Sequence, residues 1–329
     1  MMRLTKVELR RLFSRRLTTI AMLGALVVTG VMLFGSFQEA KPLSAPEQAA
    51  QQAQFDQAKK DWAVNGKQQI QDCLAAQAEQ QKTDPRARFP CDQMEPNLAT
   101  FGKPVVKFTT MMPTVMLGGS YLLAFVGFVV GAGFVSAEFS SGSMANWLTF
   151  EPRRMRVYSS KLAAAGLGLI PVTVALLGLL TAGVWLIVGY QASTAGTTAK
   201  VWGDLAEMGA RSVALALVAA VVGAAIGMLL RHTAAVLGVA IGYLVLVEAV
   251  FGQALQGARP WLLQLNVTSW LQHGAKYFAE TCKTDAQGGY SCQGVEKVLT
   301  FGHSSAYLGV LVLIAVALAA LVFRHRDVS

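Results

Sequence analysis

Charge is what this sequence lacks. Asp, Glu, Lys and Arg together make up 14% of its 329 residues, whereas a water-soluble domain carries about 25%. With 53% hydrophobic residues beside that deficit, an ordinary solvated globular domain is excluded. Enzyme signatures are missing as well. No Gly-x-x-x-x-Gly-Lys-Ser/Thr loop is present to cradle phosphate, so the chain cannot hydrolyse ATP by that route. His-Glu-x-x-His does not occur, and the four histidines (His232, His273, His303 and His325) are scattered. "GHSSAYLG" is followed by no Gly-x-Ser-x-Gly elbow or paired acid. The four cysteines include no Cys-x-x-Cys pair, which argues against zinc. No Ala-x-Ala cleavage site closely follows the first apolar stretch, which is too long for a signal peptide and keeps Arg15 and Arg16 at its edge. No lipidation box precedes it.

What is abundant is long apolar sequence. Six stretches reach the roughly 20 residues needed to cross a bilayer: about Leu17–Phe37, Met112–Ala137, Leu162–Tyr190, Met208–Leu230, Ala234–Leu255 and Ala306–Phe323. The chain therefore reads as an all-α integral membrane protein with six transmembrane helices. Six crossings put both termini on one side. That side collects 13 of the 28 cations and only four of the 19 anions (Glu8, Glu138, Glu151 and Asp327). The remaining 15 cations and 15 anions cancel, so the whole net charge of +9 lies on one face. The excess of Lys and Arg marks that face as cytoplasmic, beside anionic lipid headgroups. A basic pI needs no nucleic acid to explain it.

The cysteines agree with this topology. Cys73 and Cys91 fall in the first external loop, and Cys282 and Cys292 in the last. An even count on the oxidising side suggests disulfides. Three pairings are possible, and the local one, Cys73–Cys91 with Cys282–Cys292, orders the least chain. The first external stretch, residues 38–107, is rich in Ala, Gln and Lys and reads as two short helices divided at Gly66, with a Pro-rich return. Trp261, Leu262, Leu265, Trp270 and Leu271 suggest one or two helices dipping into the outer leaflet. The segment "CKTDAQGGYSC" reads as a small disulfide-closed turn. Gly127, Gly131 and Gly133 in the second span, with Gly223 and Gly227 in the fourth, indicate close helix packing. Pro171 is expected to kink the third.

Residues 3–16, "RLTKVELRRLFSRR", have Leu9, Leu12, Phe13 and Ile20 at helical spacing. They read as an interfacial elbow helix whose Arg10, Arg11 and Arg15 reach for lipid phosphates. Glu248, in "LVLVEAVFG", is an intramembrane carboxylate and so a candidate for the translocation pathway, with a structural hydrogen bond as the alternative.

The most unusual stretch is "SSGSMANWLTFEPRRMRVYSSKL", residues 140–162, a charged connector between two apolar spans. Met144, Trp147 and Leu148 lie at i, i+3, i+4, and Glu151-Pro152 ends the helix they define. Such a segment suits docking to a cytoplasmic partner that offers a groove.

The run Glu138…Gly142-Ser143…Leu148…Pro152-Arg153-Arg154…Lys161 resembles the connector between the second and third helices of ABC-2-type transporter permeases. Ser143 stands where that family usually has Thr, and the arginines follow Pro152 at different offsets. The resemblance implies a coupling helix at about 138–156. Its docking face would be Met144, Trp147, Leu148 and Phe150, and its charged rim Arg153, Arg154 and Arg156. The parts implied are an elbow and first span (1–37), a small helical external domain (38–111), spans two to five (112–255), external re-entrant helices with a disulfide loop (256–305), and a sixth span with a cytoplasmic tail (306–329).

The function implied is that of an exporter permease in the inner membrane of a bacterium, one of high GC content. It would pair with a second copy or a homologue and be driven by two separate ATPase subunits. No cofactor is expected in this chain; ATP and Mg would belong to the partner. A membrane sensor or scaffold is the alternative, disfavoured by the lack of a cytoplasmic output domain. Apolar, Gly-rich spans favour an amphipathic or lipid-like cargo, a drug or a peptide over a small ion.

Overall fold

A computed structural model of the protein describes residues 2–83, 87–101, 103, 105–252, 256–284 and 290–325. Helix α1 (Met2–Phe13) is followed after a break at Ser14 and Arg15 by α2 (Arg16–Ala40). Next come α3 (Ala45–Thr83), a 3-10 turn (Cys91–Gln93) and the short α4 (Leu98–Phe101). Then come α5 (Phe108–Ser140), α6 (Ser143–Phe150), α7 (Arg154–Gln191) and α8 (Ala199–Leu230). Helix α9 (Thr233–Phe251) turns to π geometry from Tyr243 onward. A 3-10 turn (Gln256–Trp261) leads to α10 (Leu263–Leu271), strands β1 (Ala275–Thr284) and β2 (Tyr290–Leu299), and α11 (Phe301–His325). Six of these helices, α2, α5, α7, α8, α9 and α11, are long and apolar enough to span a membrane, one for each expected crossing.

The spanning helices are longer than the apolar stretches alone. At about 1.5 Å per residue, α5 and α7 run to roughly 50 and 57 Å, well beyond a hydrocarbon core of about 30 Å. Their polar ends therefore stand outside it and build the two faces of the molecule. One face, here the basal end, gathers α1, the α5–α6–α7 connection and the end of α11. The opposite, distal end carries α3, α10 and the hairpin.

The bundle is centred on α5 and α8, which run parallel. Gly131 packs against the backbone at Ala220, and Gly223 against the Phe128 carbonyl. A methyl group at either position would overlap those backbone atoms, so only glycine permits this approach. Ser120 and Ser212 share a buried 2.6 Å hydrogen bond across the same seam. The expectation of tight packing at these glycines is met. Helix α7 closes the core with Leu169, Leu176 and Leu177.

At the distal end, the α7–α8 loop is stitched to the start of α5. Phe108 N–H donates to the Ser193 carbonyl, and Ser193 N–H to that of Val106. Phe108, Trp185 and Trp202 stack over this joint, their ring centroids about 5 Å apart. Lys103 donates to the Lys41 carbonyl at 2.8 Å, a cation placed at the C-terminus of α2.

Two expectations for the distal segments are corrected. Residues 45–83 form one 39-residue helix, not two. Gly66 does not break it, because one glycine costs only about 1 kcal/mol among strong helix formers. The Trp62 indole, one turn earlier, lies over Gly66 and covers it. Ser44 starts the helix: its N–H and hydroxyl both donate to the Glu47 carboxylate, at 2.7 and 2.6 Å. That contact holds the Glu47 carboxyl below its ordinary range. The expected Cys73–Cys91 disulfide is present and fastens the return to α3.

The second correction is the hairpin. Residues 275–299 form two ten-residue antiparallel strands rather than a small turn. Their register sets Cys282 opposite Cys292; the side chains of these two lie outside the described residues, as do residues 285–289. Lys276 and Glu296 pair across the strands at 2.8 Å, which raises the lysine pKa.

Candidate functional site

The basal end holds a buried cluster of charges contributed by three helices. Lys161, two turns into α7, is fully buried, and so is Glu8 on α1; Glu138, near the end of α5, is nearly so. The Lys161 ammonium donates to both oxygens of Glu8 at 3.0 Å and forms an ion pair with Glu138. Arg15, in the break between α1 and α2, donates to Glu138 at 2.9 Å. Arg11 lies 3.8 Å from Glu138 and 3.9 Å from Glu8. The Phe134 ring faces both Lys161 and Arg15 at cation–π distance. Three cations thus surround two carboxylates. An isolated charge here would be prohibitively desolvated, whereas a mutually bonded set is tolerated.

The local sequence explains why these groups meet. Leu9 and Leu12 of α1 pack onto Gly168 of α7, where any side chain would collide with Leu12. One turn away on the same face of α1, Glu8 is turned towards α7 as well. The elbow helix is therefore seated on the bundle. Arg10 and Phe13 are exposed, whereas Leu12, expected on one face with Phe13, is fully buried. Arg11 and Arg15, expected to reach for lipid phosphates, point inward to carboxylates instead. A carboxylate 3–4 Å away in a dry site outcompetes a solvated headgroup.

The connector helix α6 is bolted to this cluster. Gly142, with φ +67°, makes the left-handed turn between α5 and α6. Met144 is fully buried, and Trp147 and Leu148 pack against the main core. The Arg11 guanidinium lies over the Trp147 ring, 4.5 Å from its centre. The expected docking face therefore divides. Met144, Trp147 and Leu148 face the bundle, because the i, i+3, i+4 stripe finds its partner within the chain. Phe150 is 84% exposed and projects outward with Asn146 and Thr149. Ser143 begins α6 next to Gly142, its hydroxyl 3.4 Å from the Glu138 carbonyl. Beyond α6, Pro152, Arg153 and Arg156 are exposed. Arg154 instead points at the last carbonyls of α11, those of Phe323 and Arg324, each at 3.5 Å, where a cation complements the helix dipole.

Glu248 lies far from this cluster, at the distal end of α9. It is 8% exposed, and its carboxylate accepts from the Tyr243 hydroxyl and from the N–H groups of Leu263 and Gln264. Both oxygens are occupied by the structural alternative weighed for it.

Glu8 is the member of the cluster that pattern reading missed, whereas Glu138 and Lys161 both stand in the connector run that resembles the family. Glu8 was legible only as a charge at a membrane edge, and nothing local signals that it meets Lys161. Among the described residues, no group of three or more His, Cys, Asp or Glu could hold a metal. The cluster ties α1, α5 and α7 together through charges that cannot separate cheaply, and α6 is attached to it through Arg11 over Trp147.

The family model described as ABC-2 family transporter protein matches residues 4–328. No curated protein and no solved structure matches the chain. With a match spanning nearly its whole length, and six helices long and apolar enough to cross a membrane, the chain belongs to the ABC-2 family of transporter membrane proteins.

Proposed function

We propose that the chain is the permease subunit of an ATP-binding cassette exporter, with its basal end in the cytoplasm of a bacterium. Two copies, or this chain and a homologue, form the pathway. Two separate ATPase subunits bind below and supply ATP and Mg. The observation that carries this reading is the attachment of α6. A free loop could not transmit a push, but α6 is fixed by Trp147 under Arg11 and by Met144 within the core. Displacement of α6 by a closing ATPase would reach α1, α5 and α7 together through Glu8, Glu138 and Lys161, switching access between the two sides. The surface left for docking is Phe150, with Asn146, Thr149, Arg153 and Arg156 around it. The apolar spans favour an amphipathic cargo over a small ion.

The test is co-purification with an ATPase subunit encoded beside this chain. Phe150→Ala combined with Arg153→Glu and Arg156→Glu should abolish the association while membrane insertion and folding persist. Undiminished association would remove the docking assignment, and an ATPase that never associates would remove the exporter reading.

A further inference from the structure

We propose that the protein holds a zwitterionic aminophospholipid in a groove between the distal ends of α2 and α5. The proposal needs only that the spans cross a bilayer and is independent of the exporter reading. The groove has two lobes, and Glu39, Val105 and Val106 line both. One lobe, of about 490 Å³, runs along α5 past Met111 to Thr114 and Val115. The other, of about 290 Å³, reaches the first turns of α3 and is walled by Lys41, Lys103 and Gln191. Clefts that bind small ligands measure roughly 300–1,000 Å³, so the two lobes together have the size of a ligand site.

The groove straddles the level at which hydrocarbon gives way to headgroups. Gly118 of α5 packs against the Met32 side chain of α2, which sets these antiparallel helices in register. Helix α2 enters the apolar layer at Leu17, next to Arg15 and Arg16. At 1.5 Å per residue, Met32 lies about 22 Å from Leu17, Val115 about 27 Å and Glu39 about 33 Å. A hydrocarbon core about 30 Å thick therefore ends between Val115 and Glu39. The lobe along α5 borders acyl chains, and the lobe beneath α3 borders headgroups. An amphiphile suits both; a wholly polar or wholly apolar molecule suits only one.

The charges select the headgroup. Among the described residues, neither the Glu39 carboxylate nor the Lys107 ammonium, both lining the groove, forms an ion pair. Lys103, by contrast, spends its ammonium on the Lys41 carbonyl at 2.8 Å. Gln191 Oε1, in the wall of the polar lobe, has no hydrogen-bond partner among the described residues, so the wall also holds an acceptor with a bond still to make. A phosphoethanolamine headgroup answers this pattern. Its ammonium donates to Glu39, and its phosphate accepts from Lys107 and Lys41, both as charge-assisted bonds. A choline headgroup carries the same charges without N–H donors. A glycerol headgroup carries no cation and would leave Glu39 unpaired beside a phosphate.

Native mass spectrometry of the full chain, released from mixed micelles, tests the site. The chain is titrated with phosphatidylethanolamine, phosphatidylcholine and phosphatidylglycerol of identical acyl chains. The wild type should bind phosphatidylethanolamine at least five times more tightly than either of the others. Glu39→Gln should bring phosphatidylethanolamine and phosphatidylcholine within twofold of each other, and Lys107→Gln should weaken both at least threefold. Val105→Trp, at a position that is 69% exposed and lines both lobes, should remove the tight binding by filling the groove. Glu39 and Lys107 are exposed, so their variants should keep the wild-type size-exclusion profile. Glycerophosphoethanolamine, the headgroup without chains, should not displace the lipid at equal concentration. Equal binding of the three lipids by the wild type, as for any annular lipid, overturns the proposal. So does a preference for phosphatidylethanolamine that survives Glu39→Gln. Displacement by the chain-free headgroup overturns the assignment to a lipid.

Discussion

Replacing Lys161 by methionine removes the fully buried cation that contacts both carboxylates most closely. At 3.0 Å from Glu8, a unit pair is worth about 5.5 kcal/mol at an effective dielectric of 20. The desolvation of Lys161 offsets much of this. Measured losses on breaking one side of a buried pair run to about 3–5 kcal/mol, which shifts an unfolding equilibrium by about 10² to 4 × 10³-fold. The two carboxylates do not suffer equally. Glu138 retains Arg15 at 2.9 Å, while Glu8 is left with Arg11 at 3.9 Å. Adding Glu8→Gln to Lys161→Met should therefore restore more stability than adding Glu138→Gln. The assay is reversible unfolding of the purified protein in mixed micelles, read as a double-mutant cycle. A loss below about 1 kcal/mol for Lys161→Met, in the range of solvated surface pairs, would refute the claim that these charges are dry and interdependent. So would equal rescue by the two glutamines.

The other expectations concern separate parts of the molecule. Gly131→Leu should abolish folding, because its side chain would overlap the Ala220 backbone, whereas Gly178→Ala, in open space, should be neutral; size-exclusion profiles of the two variants decide this. Cys73→Ser should loosen residues 45–101 towards proteolysis without lowering the stability of the spans, since the disulfide closes a loop of 18 residues, worth about 3 kcal/mol in chain entropy. The Glu47 carboxyl has a depressed folded pKa. Its support of the α3 start is therefore complete above the unfolded value of about 4.3 and is lost as pH falls through the lower folded value. Amide exchange at residues 45–50 should accelerate across that acid window in the wild type, and Glu47→Gln should remove the dependence.

The spanning helices could be read directly, because mean hydropathy over a window of membrane length is a local property. The glycine seam was legible too, since residues four apart share a helix face whatever lies opposite. The basal cluster was not. Glu138 and Lys161 lie in one connector run, but Glu8 is 153 residues from Lys161, and a charge flanking an apolar run looks the same whether it faces lipid or a partner. For the same reason the stripe at Met144, Trp147 and Leu148 revealed an apolar face without revealing that α1 and the core would occupy it. The hairpin did leave a signal: two runs with aromatic and β-branched residues flank a five-residue segment containing Gly288 and Gly289. The π turn in α9 left none, because nothing in "YLVLVEAVF" distinguishes it from an α-helix.

The seam between α5 and α8 has a consequence for how such a machine could move. Backbones in direct contact cannot slide by a fraction of a residue without collision, so these helices and α7 must travel as a single plate. The buried share of the spanning window is 50% in α5, 33% in α7 and 39% in α8, but only 17% in α2 and 11% in each of α9 and α11. Compliance must therefore reside at the periphery. Substitutions in the plate would decide whether the protein exists at all, while substitutions in α2, α9 and α11 would adjust its rate, its cargo and its lipid preference. Evolutionary change in what is carried has the freer run in the helices that the bundle holds least.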